Sequence, residues 1–456
     1  MHIFDIPPEL LHKILFFATL SCGVTRALRL KLVCRTFYET VPPALFETRL
    51  LDDFAEGGRC GRPLWLQDWR VRQLHGAEKT WHPYLAYRVR NENDPTVGRF
   101  VEIRRIAEEL CIETDSDIDT TVDALCWQAL EYESFQPSLR KAEYHGYVPN
   151  HKLNLLSAAA YLGHISLAER LLLTEPNLCP DEHNLLFPSP MRLAALAGNL
   201  DMCELFREHE NSPKAEENGE KMWKTERMWE AVRGYAESGN LNQIRQVIKQ
   251  PGTTFKPPLN TIYLTRSQQV YQYLVENSEK PVLPPRDLTT HLAQHAEYGN
   301  VEMVRYLLDA GADINGLMRS DGYPLVNAAG ECHDDVVDLL IERGVDINSG
   351  EDHQRGSALC AAAAAGSLIM VRKLLDHGIR VGEGHTWAMR HAVRREHYAM
   401  VELLLERDVA DRGKRSFLVQ HALDEGLQSM AEFLRRLGLT EERNKDWRQQ
   451  TELAPP

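Results

Sequence analysis

Eight points along the chain carry a glycine, or a residue standing in for one, just before an amphipathic run: Gly163, Gly198, Gly239, Gly299, Cys332, Gly366, Glu396 and Gly426. The last four intervals are 33, 34, 30 and 30 residues. A period of this size marks a stack of small units, because no single unit can bury its apolar face without a neighbour. Seven residues before each anchor stands an apolar residue (Leu156, Met191, Val232, Leu292, Leu325, Leu359, Met389, Val419), and four before it usually an alanine. Tyr235 and His295 break the alanine rule. Five residues after the anchor begins a second apolar stripe, as in Val304 with Leu307 and Leu308, whose spacing predicts a second helix. In the clearest copies a glycine follows twelve residues after the anchor (Gly311, Gly344, Gly378, Gly438), where a helix would end in a left-handed cap.

The expected fold is therefore all-α, a solenoid of helix-turn-helix repeats. The segments "YPLVNAAGECHDDVVDLLIERGVDIN", "HAEYGNVEMVRYLLDAGADIN" and "SPMRLAALAGNLDMCELF" resemble the ankyrin repeat, which implies β-turn loops between the repeats. The resemblance spans residues 150–439 as about eight or nine repeats, degenerate at the ends, with a shortened copy at Gln269 to Asn277. A polar tail, 440–456, follows. The resemblance implies a groove that binds protein. The run "CAAAAAG" before Gly366 places Ala362 and Ala363 in the core, and Ala361 and Ala365 on the stripe expected to floor that groove. Its walls would be the equivalent pairs Gln294 and Tyr298, Asn327 and Glu331, His391 and Arg395, and His421 and Glu425.

Residues 1–50 read as two or three short helices, too little chain for an independent core. Pro7-Pro8 precedes an acid and the series Leu10, Leu11, Ile14, Leu15, and proline suits the first turn of a helix. With Ile6-Pro7 ahead of Glu9-Leu10-Leu11 and Ile14-Leu15, and with Val33-Cys34-Arg35 and Phe37 behind, this stretch resembles the F-box. That resemblance implies docking onto the adaptor of a cullin-RING ubiquitin ligase through Ile6, Pro7, Leu10, Leu11, Ile14, Leu15, Val33, Cys34 and Phe37. F-box, linker and ankyrin array in this order look like fungal F-box/ankyrin proteins. A plain helical cap for the solenoid is the alternative. Residues 51–149 form a helical linker, with a face at Phe100, Ile103, Ala107 and Leu110 and another at Val122, Leu125 and Leu130. The aromatics Trp65, Trp69, Trp81 and Tyr84 belong to its core.

Composition narrows the functions. A formal net charge of −14 over 456 residues argues against nucleic acid or an anionic membrane as the main partner, although the first 50 residues carry +2. No apolar stretch reaches the ~18 residues of a membrane helix. The nine cysteines have no CxxC pair, which suits reduced thiols in the cytoplasm or nucleus. No phosphate loop, nucleophile elbow or dinucleotide fingerprint is present. Asp115, Asp117 and Asp119 begin like a calcium loop, but Thr120 and Cys126 replace its glycine and its bidentate glutamate. His291 and His295 lie four apart inside a repeat helix without the Glu of a zinc motif. No enzyme activity and no cofactor or metal are expected. The expected function is a substrate receptor of a ubiquitin ligase, with an unknown target protein in the groove, or else a scaffold with no ligase role.

Overall fold

The structure, a computed structural model, describes residues 6–31, 33–55, 78–94, 98–131, 150–183, 186–209, 220–249, 256–257, 259–262, 265–278, 281–316, 323–349, 357–380, 386–407 and 416–439. These are helices and turns, with no strand among the described residues. Two compact units divide them, one reaching Val282 and one beginning at Leu283.

Among the described residues nine helix pairs follow one another, from His151–Leu162 with Ile165–Thr174 to Ser416–Asp424 with Gln428–Arg436, four in the first unit and five in the second. All eight anchors take a left-handed backbone, from φ 50° at Glu396 to 83° at Gly366. Cys332, at φ 61°, and Glu396 hold it despite their side chains, so the turn, and not the glycine as such, defines the repeat. At all eight anchors the N–H of the following residue donates to the carbonyl five residues back, at 2.7 to 3.2 Å. The side chain of that same residue often caps the second helix: Asn240, Asn300 and Ser367 accept from the backbone N–H three residues on. One residue thus closes one helix and opens the next.

The second-helix stripe is buried as its spacing requires, at Ala168, Cys203, Ile244, Val304, Val337, Val371, Val401 and Ala431. The shortened copy is the helix Gln268–Glu276, preceded by Leu259–Ile262. The exceptions to the alanine rule are buried too. Next to Tyr235 the close approach falls to Gly234, which lies against the backbone of the helix Pro190–Ala197.

In the first unit the leading helix, Pro8–Leu30, breaks at Gly23 (φ 77°, ψ 173°) and packs on Arg35–Glu47. Leu11, Leu15, Val41 and Ala44 form its core, with Ile6, Phe16, Leu30 and Phe37 packed against it. This core is too small to stand alone, and Phe46 extends it onto the rings of Tyr84 and Tyr87, 5.3 and 5.8 Å away, in the helix Glu78–Asn91. Trp65 and Trp69 lie outside the described residues. Buried Arg88 answers both Asp52 and Glu92, while the Tyr84 hydroxyl donates to Asp52 at 2.6 Å.

The helix Gly98–Thr114 buries Phe100, Ile103, Ile106, Ala107 and Leu110. Its Glu102 and Glu109 each meet one ring nitrogen of His151, both at 2.8 Å, at the start of the first repeat helix. Replacing His151 by Ala leaves two half-covered carboxylates without that bridge, and is expected to cost about 2 kcal/mol. Urea unfolding followed by circular dichroism measures it, and a loss below ~0.5 kcal/mol would mean that the apolar face alone joins helix to array.

Candidate interaction surfaces

The leading helix has two apolar stripes. Leu11 and Leu15 point into the module core, which corrects their assignment to an adaptor-binding surface: the second helix already covers them. Leu10 and Ile14 remain 51% and 45% exposed, and Phe17, seven residues after Leu10 and on the same stripe, is 64% exposed. Val33 and Tyr38 add exposed apolar surface, and Pro7 is exposed. Ile6, Cys34 and Phe37 are half-buried. Phe17 and Tyr38 went unnoticed in the sequence, although the i, i+7 spacing from Leu10 pointed to Phe17.

The expected groove residues divide as well. Tyr298 is exposed, and the Gln294 amide donates to its hydroxyl at 3.2 Å. Ala365, His391 and Arg395 are half-buried. Asn327, Glu331 and Ala361, however, are buried, Ala361 to 2% exposure. Their stripe is the seam between neighbouring first helices, not an open floor. The Asn327 amide crosses the seam to donate to the Ala293 carbonyl at 3.1 Å, and a Cβ on Gly330 would lie only 3.5 Å from that of Ala361. The Arg395 guanidinium lies against Gly366, 3.1 Å from where a Cβ would be. His421, expected on the same stripe, is buried, and burial with the nearby Arg390 charge pulls its imidazole down to about 4.

The open face of these helices is clearest in Thr386–Arg394. Ala388, Met389, Ala392 and Val393 are buried, whereas Trp387 (46% exposed), Arg390 and Arg394 line the other side at i, i+3 and i+7. The Arg390 guanidinium lies over the Trp387 ring at 4.5 Å and near the Phe417 ring of the next repeat at 5.8 Å. Arg394 is 3.6 Å from Glu425. The sequence alone does not single out these three residues, because spacing within one helix cannot tell the seam stripe from the open one.

The remaining candidates are structural. Burial lowers His291 to about 4, so it is neutral inside its helix, where His295 is buried too. Asp117 caps a helix by accepting from the Thr120 N–H at 2.9 Å, and Asp119 pairs with Arg90. No group of three or more His, Cys, Asp or Glu is placed to hold a metal among the described residues, and no described helix is long and apolar enough to cross a membrane.

Two overlapping stretches, residues 261–351 and 325–415, match the family described as ankyrin repeats (3 copies). The chain contains ankyrin repeats. It is 27% identical over 171 residues to the ankyrin repeat and KH domain-containing protein mask-1 of Caenorhabditis elegans, a match covering 36% of this chain and 6% of that protein. It is 33% identical over 113 residues to a putative ankyrin repeat-containing protein of Treponema pallidum, covering 24% of this chain and 37% of that protein. The chain therefore spans well under half the length of these relatives. An ankyrin scaffold is in keeping with a non-catalytic module for protein–protein interaction.

Proposed function

We propose that the ankyrin array is a scaffold that holds a target protein on the open face of its first helices, without chemistry of its own. The observation that carries this reading is the two-sided helix Thr386–Arg394, packed on one side and presenting an aromatic and two arginines on the other. Aromatic and arginine side chains are those that dominate protein interfaces. Cross-linking of the full chain to its partners, read by mass spectrometry, tests it. Cross-links should map to first helices between residues 285 and 424, and links confined to second helices would overturn the reading.

A second reading is favoured by the leading helix. An apolar stripe of Leu10, Ile14 and Phe17 left open beside a packed core suits a docking role, and the F-box resemblance would make the dock the adaptor of a cullin-RING ligase. The array would then present its target for ubiquitin transfer in the cytoplasm or nucleus. Changing Leu10 and Ile14 together to Glu should abolish recovery of purified adaptor in a pull-down while the melting curve stays within about 1 kcal/mol of the parent, since both positions are exposed. Undiminished recovery would leave the scaffold reading alone.

A further inference from the structure

We infer that the open face of the helix Thr386–Arg394 docks an acidic, extended peptide segment of a protein partner, one apolar side chain of which seats against Trp387. The inference rests on the scaffold reading and names the chemistry of the partner. Residues 386–395 contain Arg390, His391, Arg394 and Arg395 and no acid, in a chain whose net charge is −14. The helix is thus a local reversal of sign, and sign complementarity selects partners and speeds their encounter.

The geometry adds to the charge. The Arg390 guanidinium carbon lies 4.5 Å from the centroid of the Trp387 ring, so positive charge and aromatic surface sit together, a pairing that suits a segment carrying both carboxylates and an apolar side chain. The ring of Phe417, near the same guanidinium, extends the aromatic surface onto the next repeat. Arg394 has a resident acid, Glu425, but at 3.6 Å with the arginine 45% exposed such a pair is weak and exchangeable. Toward the preceding repeat the surface closes: Cys360 and Ala361 are buried, leaving the arginines and Trp387 as the prominent groups.

The test uses the full chain and a fluorescein-labelled twelve-residue peptide of glutamates and glycines with one central leucine, followed by anisotropy. A Gln-for-Glu peptide and a twelve-residue oligothymidylate are the comparisons. The acidic peptide should bind saturably, at least tenfold more tightly than the Gln peptide, with affinity falling as salt rises. Trp387→Ala and Arg394→Gln should each weaken it at least fivefold without moving the melting curve. Should Trp387→Ala fail to fold, the exposed Arg394→Gln carries the test by itself. Equal binding of the two peptides, no binding, or unchanged affinity in Arg394→Gln would overturn the inference. Tighter binding of the oligothymidylate would reassign the face to nucleic acid, and self-association abolished by Arg394→Gln would reassign it to a second copy, each overturning it. Cross-links to a protein partner on first helices that persist in Arg394→Gln would sink this inference while leaving the scaffold reading intact.

Discussion

Gly234→Ala is expected to cost about 3 kcal/mol, at the upper end for an added methyl group. A Cβ there would fall 2.2 Å from the Arg192 carbonyl oxygen, 2.7 Å from the Ala195 Cβ and 2.8 Å from the Leu196 nitrogen. Two of these three atoms are backbone, which cannot turn aside as a flexible side chain can. The helices Glu220–Glu237 and Pro190–Ala197 would have to separate, and Met191, Leu193, Val232 and Ala236, all buried around them, would lose contact. Gly98→Ala is the control, since nothing lies within 4 Å of its Cβ position, and it should stay within about 0.5 kcal/mol. Urea unfolding of both variants decides the matter. A Gly234→Ala loss below ~1 kcal/mol would show that the close approach is incidental.

Ala361→Glu and Ala362→Glu should each cost about 4 kcal/mol, because both put a carboxylate where no water reaches. Ala361 is the informative one. Read from the sequence as an open groove position, it would tolerate glutamate, but in the structure it faces Gly330 across the repeat seam and the loss should match that of Ala362. Ala365→Glu, at a half-buried position near the end of the same helix, should stay within about 1 kcal/mol. Thermal melts of the three variants test this, and a mild Ala361→Glu would restore the open floor.

These two cases mark where the sequence stops being legible. The turn residues could be read directly, even at Cys332 and Glu396, because a left-handed cap leaves a local signature and the period supplied the rest. The buried stripe beginning at Val304 or Val371 could be read for the same reason, since spacing on one helix fixes which residues share a face. Which polar face opens to water could not. Asn327, Glu331 and Trp387 differ in exposure through what the neighbouring repeat places beside them, and no spacing within one helix carries that information. Gly234 escaped because the close approach had moved one residue from its usual place beside Tyr235. In the N-terminal module, helical spacing grouped Leu10 with Ile14 and Leu11 with Leu15, but only the packing of Val41 and Ala44 against the second pair told covered from open.

The double duty of the residue after each anchor makes the array rigid in length at one joint and permissive at the other. Within a pair, the backbone N–H that closes the first helix and the side chain that opens the second sit on one residue, as at Asn300 and Ser367. An extra residue there would swing the second helix by about 100° about its axis and carry its apolar stripe round to water. Between pairs the length varies instead, and the anchors of pairs adjacent in the chain are 30 to 41 residues apart. Foreign segments, whether gained in evolution or grafted by design, belong in the second kind of joint, where a change of length leaves every helix facing as it did.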